Sequence, residues 1–120
     1  MMVLFFRGHD DVGRMKESLG VHWLPYAEEA ASEALERQIR WLDVRDTLAI
    51  AGNLPRLQVP AALVWGAADP FQKLRYGERL AEDLRAPLDR VSGGKHFVPE
   101  DHPDRVAAAV ADVVKRSTLQ

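Results

Sequence analysis

The sequence predicts an α/β fold, and two observations carry that prediction. Apolar residues at helical spacing alternate with two short apolar runs, in the order helix, strand, helix, strand, helix. Strands in this order pair in parallel through crossover helices. Since a stable sheet generally needs about three strands, we expect an incomplete fold whose remaining strands lie outside this sequence.

The composition fits one globular unit and excludes several classes of function. The 120 residues are 47% hydrophobic, as in ordinary globular domains. A net charge of −2, with acids and bases interspersed, leaves no basic face, so nucleic acid is not an expected partner. The absence of cysteine excludes a disulfide framework, a thiolate nucleophile and cysteine-ligated zinc.

The sequence opens on an apolar run from Met1 to Phe6. This run is shorter than the core of a signal peptide, about 7–15 residues, and far shorter than the roughly 20 residues that span a bilayer. We therefore expect no membrane association and, by default, a cytoplasmic location. We interpret the run as part of a buried strand or helix.

The first half of the sequence predicts helices. Glycine and proline interrupt residues 7–25, which predicts a loop with at most one short helix. Apolar residues at helical spacing over residues 26–42 predict an amphipathic helix, with Ser32 as a possible cap of a second helix. Another short helix is predicted over residues 46–52, with Asp46 as its cap.

The second half predicts the strands. An unbroken apolar run over residues 61–65 is typical of a strand buried in a parallel sheet. A helix follows over residues 74–84, and residues 88–91 form a second strand. The last helix is expected to begin near Pro103, because proline fits the first helical position, and basic residues suit its end.

Asp69 and His96 each follow one of the predicted strands. In open parallel sheets, ligands bind outside the carboxyl ends of the strands. An imidazole can accept a proton at neutral pH, provided that an acceptor on its other nitrogen fixes the tautomer. We therefore predict that Asp69 orients His96 as a general base. The alternatives are that Asp69 caps a helix before Pro70 and that His96 is an ordinary loop histidine.

Two segments around these residues carry a family resemblance. V-P-A-A-L-V-W-G-A-A-D-P and G-G-K-H-F-V-P-E-D-H-P-D resemble the acid loop and the histidine loop of the α/β-hydrolase superfamily, whose triad runs nucleophile, acid, histidine. The resemblance covers residues 57–114. It implies an incomplete α/β-hydrolase fold: two parallel strands with crossover helices, preceded by cap-like helices.

The resemblance also implies domain limits, roles and ligands. Residues 1–53 resemble the closing helices of a cap, and residues 54–120 resemble the C-terminal part of the hydrolase core. Asp69 and His96 would be the acid and the histidine of the triad. The substrate would be a small molecule with an ester, epoxide or carbon–halogen bond, and no cofactor is implied. A cap would cover the pocket with Trp23, Tyr26 or Trp41, and the sequence does not distinguish among these three residues.

The sequence departs from the family because it has no nucleophile. No G-x-S-x-G turn is present, and none of the serines lies in such a turn; they are Ser18, Ser32, Ser92 and Ser117. We expect the chain alone to show little or no turnover. Two alternatives stay open: a non-catalytic interaction module, with possible self-association through its exposed sheet edge, and a truncated product without activity.

Two further polar clusters have simpler interpretations. His9, Asp10 and Asp11 follow an apolar run and precede a glycine, which predicts a solvated turn. The acidic segment at Glu100 and Asp101 is interpreted as a helix N-terminus and not as a metal site. We predict no metal.

Overall fold

Two strands pair in parallel, as the sequence predicts. The structure is a computed structural model that describes residues 6–119. Strand β1 is Leu63–Gly66 and strand β2 is Leu88–Val91, with Leu63 opposite Leu88 and Gly66 opposite Val91. Over the described residues each strand keeps one edge unpaired. The structure is therefore a mixed α/β chain with a two-stranded parallel sheet, consistent with an incomplete α/β fold.

Helices occupy most of the remaining chain. Those before the sheet are α1 (Val12–Trp23), α2 (Glu29–Arg40) and α3 (Val44–Ala51), with 3₁₀ turns at Leu24–Tyr26 and Leu54–Arg56. Those that follow β1 are α4 (Leu74–Leu84), α5 (Val98–Asp101) and α6 (Pro103–Ser117). Helix α4 connects the two strands, and α6 begins at Pro103 with basic residues in its last turn, as predicted.

The sheet packs against α4 on one face and α6 on the other. Successive side chains of a strand point to opposite faces. Trp65 lies over Gly77 of α4, and its indole N–H donates to the Gln72 carbonyl at 2.9 Å. Val64 lines an apolar groove together with residues of α6. The predicted burial of β1 on both faces holds only in part, because Leu63 is buried but Val64 is half-buried.

Gly77 and Gly20 provide a matched pair of helix substitutions. Alanine normally stabilises a helix by about 1 kcal/mol relative to glycine. A Cβ atom at Gly77 would lie 2.6 Å from the Trp65 ring, whereas one at Gly20 would meet nothing within 4 Å. We expect Gly77→Ala to lower the free energy of unfolding by about 1–3 kcal/mol through overpacking, and Gly20→Ala to raise it. Urea unfolding of both variants tests this, and a stabilised Gly77→Ala would contradict it.

The first half of the chain corrects three predictions. The sequence predicts a loop with at most one short helix over residues 7–25, but residues 12–23 form a full helix. The Asp11 carboxylate caps this helix by accepting from the Arg14 N–H at 2.8 Å. Helix α2 does not break at Ser32, since the Ser32 N–H bonds to the Glu28 carbonyl as part of the helix.

The cap of α3 is the third correction. Asp43, and not Asp46, caps this helix: its carboxylate accepts from the Arg45 N–H at 2.9 Å. Asp43 has the extended backbone that a cap requires, whereas Asp46 already lies within the first turn. The presence of aspartate in this segment therefore predicted that a helix begins here, but it did not show which of the two aspartates is the cap residue.

Apolar side chains are exposed in the turn between α2 and α3. Trp41 is 79% exposed and Leu42 is 81% exposed.

Among the helices of residues 6–119, none is long and apolar enough to cross a membrane. Residues 1–5 of the apolar opening run lie outside the described residues.

Candidate active site

Asp69 and His96 meet at the carboxyl edge of the sheet. Asp69 follows β1 and His96 follows β2, and two backbone bonds tie the loop after β1 to the end of β2 and to the loop that carries His96. The Ala67 N–H donates to the Val91 carbonyl at 3.0 Å, and the Ala68 N–H donates to the Gly94 carbonyl at 2.9 Å. Parallel pairing thus brings together two residues that are 27 positions apart.

The Asp69 carboxylate makes two kinds of hydrogen bond. Oδ2 lies 2.9 Å from His96 Nδ1. Oδ1 accepts from the backbone N–H groups of Phe71 at 2.7 Å and Gln72 at 3.0 Å. Asp69 therefore both holds His96 and closes a turn. That turn precedes α4, whose cap residue is Lys73, so Asp69 is not the cap of this helix.

This geometry fixes the tautomer of His96. A carboxylate only accepts hydrogen bonds, so in the neutral imidazole Nδ1 carries the proton and Nε2 carries the lone pair. Asp69 is buried, whereas the His96 side chain is 31% exposed. The Phe71 ring contacts the imidazole edge-on at 5.4 Å between centroids. The site thus has an imidazole that is held by a buried carboxylate and is itself partly exposed.

A shallow cavity of about 190 Å³ opens beside the pair. Its lining combines apolar strand residues with the polar groups of the two loops: Val64, Trp65, Gly66, Asp69, Gln72, Lys95, His96 and Val98. The cap aromatic residues that the resemblance places near a substrate lie outside this lining: Trp23, Tyr26 and Trp41. Such a cavity is smaller than the ligand sites of about 300–1,000 Å³ that most enzymes have.

Opposing effects set the pKa of Asp69. Burial is the largest single influence, and it acts to raise the pKa. The hydrogen bonds from Gln72, His96 and Phe71 act in the opposite direction and, with the charge of a protonated His96, outweigh it. The pKa of Asp69 therefore lies below its ordinary value, and the carboxylate is ionised at neutral pH.

The lowered pKa of Asp69 predicts how stability depends on pH. The folded pKa is below the unfolded pKa of about 3.9, so the ionised carboxylate stabilises the folded chain above that pH. This contribution disappears as the pH falls through the folded pKa of Asp69. We expect the stability difference between the native chain and Asp69→Asn to shrink in that acidic range. Urea unfolding from pH 7 downwards measures it, and a pH-independent difference would contradict the prediction.

The segment around His9 corrects a fourth prediction. The sequence predicts a solvated turn, but His9 is only 4% exposed, and its Nδ1 lies 2.7 Å from Asp101 Oδ1. The Asp10 N–H donates to the other oxygen of Asp101 at 2.9 Å, and Asp10 Oδ2 lies 2.6 Å from His102 Nε2. His9 and Asp101 are 92 positions apart in the sequence, so no local pattern could have predicted their contact. Asp101 therefore holds the N-terminal segment through hydrogen bonds to His9 and Asp10.

The serines do not complete a triad over the described residues. His96 makes its hydrogen bond to Asp69 and none to a serine hydroxyl in residues 6–119. Ser18 is buried in α1, and its Oγ has no hydrogen-bond partner within residues 6–119. Ser32, Ser92 and Ser117 are exposed. No group of acids and histidines in this part of the chain is arranged to hold a metal ion.

Comparison with known proteins finds similarity to a protein that is named as a hydrolase. The chain is 29% identical over 108 residues to a Bacillus subtilis (strain 168) protein named "Uncharacterized hydrolase YugF". The match covers 89% of this chain and 38% of that protein, so the chain spans less than two fifths of the length of this relative. No family model matches the sequence, and no solved structure matches it.

Proposed function

We propose that this chain supplies the acid and the histidine of an α/β-hydrolase, with Asp69 as the orienting carboxylate and His96 as the general base. The observation that carries the proposal is the hydrogen bond of 2.9 Å between Asp69 Oδ2 and His96 Nδ1, at the carboxyl edge of parallel strands. Similarity to a hydrolase supports the same class of reaction. The substrate is a small molecule with an ester, epoxide or carbon–halogen bond.

His96 acts through Nε2. Because Asp69 keeps the proton on Nδ1, Nε2 takes a proton from a hydroxyl group or a water molecule while that oxygen attacks the substrate. The carboxylate stabilises the imidazolium that forms. In acyl transfer, Nε2 then returns the proton to the leaving group. Both steps need the fixed tautomer that the Asp69 hydrogen bond provides.

The nucleophile determines which bond is broken, and it comes from polypeptide outside this chain. With a serine, the reaction is acyl transfer through an ester intermediate on the serine oxygen. With an aspartate, the carboxylate displaces a halide or opens an epoxide, and an alkyl ester forms. His96 then activates the water that hydrolyses this ester.

A chimera tests the proposal. In it, this chain replaces the matched segment of the Bacillus subtilis relative, and the chimera is assayed with chromogenic esters, epoxides and haloalkanes. We expect turnover that His96→Ala lowers by about 10³-fold or more, because the general base is lost. His102→Ala is the matched control, since this histidine pairs with Asp10 and not with Asp69. Equal activity in the native and His96→Ala chimeras would refute the proposal.

The isolated chain is expected to show little or no turnover in the same assays. The nucleophile and the oxyanion donors supply most of the rate acceleration of such enzymes, and this chain has no nucleophile turn. Turnover by the purified 120 residues that is lost in His96→Ala would contradict this expectation.

A second candidate function is that of an interaction module. One supporting observation is the edge of β1 that no strand of the described residues pairs with. The other is an apolar groove of about 340 Å³ between β1 and α6, lined in part by Val64, Val106 and Val110. Such edges and faces favour association with another polypeptide, including a second copy. Size-exclusion chromatography with light scattering tests this: a monomer that binds no apolar dye counts against the module.

A further inference from the structure

The N-terminal segment 8–10 holds both neighbours of His96. The Phe97 N–H donates to the Gly8 carbonyl at 3.0 Å, and Lys95 Nζ donates to the His9 carbonyl at 2.9 Å. The residues that flank His96 on either side are thus both tied to the same short segment. Without these bonds, the loop that carries His96 would keep fewer restraints on its conformation.

A ring stack adds to these backbone contacts. The His9 imidazole stacks on the Phe97 ring, with centroids 4.3 Å apart and planes 11° apart. The Phe97 ring in turn contacts the His96 imidazole edge-on, with centroids 5.5 Å apart. A Cβ atom at Gly8 would lie 2.7 Å from the Phe97 ring, so the segment approaches this closely only because residue 8 is glycine. The Phe97 ring thus contacts the His9 ring on one side and the His96 ring on the other.

Asp101 fixes His9 in this stack. Its Oδ1 lies 2.7 Å from His9 Nδ1, both side chains are buried, and its Oδ2 accepts from the Asp10 N–H. The Asp101 N–H itself bonds to the Phe97 carbonyl at 2.9 Å. One carboxylate thus orients the His9 ring and is anchored to the residue on which that ring stacks. A buried, charge-assisted bond of this kind restricts side-chain rotation strongly.

We propose that His9, oriented by Asp101, is a positioning residue for His96. It holds the Phe97 ring and the 95–97 loop so that His96 Nδ1 stays within reach of Asp69. His9 does not touch the substrate and exchanges no proton with it. The catalytic importance of His9 rests on the proposed function of His96. The effect of His9 on the Asp69–His96 hydrogen bond does not depend on that function.

NMR of the imidazole protons in the full 120-residue chain tests the proposal. The proton in the Asp69–His96 hydrogen bond is assigned by its loss in Asp69→Asn. We expect His9→Ala to abolish or broaden this resonance while the far-UV circular dichroism stays native. The matched control is Asp10→Ala, which removes the side-chain pair with His102, keeps the Asp10 N–H bond to Asp101 and should leave the resonance unchanged. An unchanged resonance in folded His9→Ala would overturn the proposal.

Two further variants keep the test decisive if His9→Ala does not fold. His9→Asn retains a donor for Asp101 without the stacked ring, and we expect it to restore the fold and part of the resonance intensity. Lys95→Met removes only the bond to the His9 carbonyl, and we expect a weaker resonance. Full intensity in both variants would refute the positioning role.

The chimera separates this inference from the proposed function. If His96 is the general base, His9→Ala should lower kcat with little change in KM, since binding is not altered. An inactive or His96-independent chimera refutes the proposed function but leaves the NMR result to decide the role of His9. An active chimera whose kcat is unaffected by His9→Ala refutes the role of His9 alone.

Discussion

Asp69→Asn should lower kcat of the active chimera by about 10⁴-fold while the fold is retained. The reason is the way in which Asp69 uses its two oxygens. Oδ1 accepts from the Phe71 and Gln72 N–H groups, and an asparagine oxygen can do the same. The asparagine NH₂ group then faces His96 Nδ1 at the place of Oδ2.

An NH₂ group in that place selects the wrong tautomer. It donates to Nδ1, so the imidazole proton moves to Nε2, and the lone pair that should accept a proton is lost. The imidazolium would also lose its carboxylate partner. Substrate binding is not expected to change, so kcat falls more than KM changes.

Steady-state kinetics of the native and Asp69→Asn chimeras measure this effect. Asp89→Asn serves as the control, because Asp89 pairs with Arg105 away from the site. We expect the control to lose a little stability and to keep its turnover. An Asp69→Asn chimera with nearly native kcat would show that His96 needs no carboxylate, and would leave the hydrolase proposal without its main support.

Gly66→Ala is the substitution expected to damage fold and site together. Gly66 ends β1, and a Cβ atom there would collide with the Lys95 carbonyl oxygen and lie 2.6 Å from the Gly94 carbonyl oxygen. Both neighbours are backbone atoms, so the loop itself must move. We expect the free energy of unfolding to fall by about 1–3 kcal/mol or more.

The same movement should disturb His96. Gly94 accepts the bond from the Ala68 N–H that ties the two loops, and Lys95 directly precedes His96. We expect urea unfolding at a lower concentration together with a weakened Asp69–His96 resonance. Gly52→Ala is the control, because a Cβ there would meet nothing within 4 Å and the backbone is already right-handed helical. Native stability in Gly66→Ala would contradict the close approach of the loop.

The sequence predicted the parts of the site that follow from local pattern. Short apolar runs bounded by turn residues are strands, and the helix between them makes the pairing parallel. Parallel strands place their carboxyl ends at one edge of the sheet, so Asp69 and His96 had to come near each other. Their catalytic role stays a prediction.

The local pattern was a weaker guide to helix ends. Asp43 and Asp46 are both acceptable caps by residue type, and only the backbone conformation distinguishes them. Likewise, Ser32 has the side chain of a cap but lies inside a continuous helix. A cap needs an extended backbone at one position, and packing of the whole segment decides which position that is.

By itself, then, the sequence determined the α/β class, the parallel pairing and the edge of the sheet at which an acid and a histidine meet. Only the tertiary structure decided that Asp69 divides its two oxygens between a turn and His96, and that His9 is buried against Asp101. The physical reason is the sequence distance over which each effect acts. Periodicity and turn chemistry act over a few residues, whereas the contact between His9 and Asp101, 92 positions apart, exists only after the chain has folded.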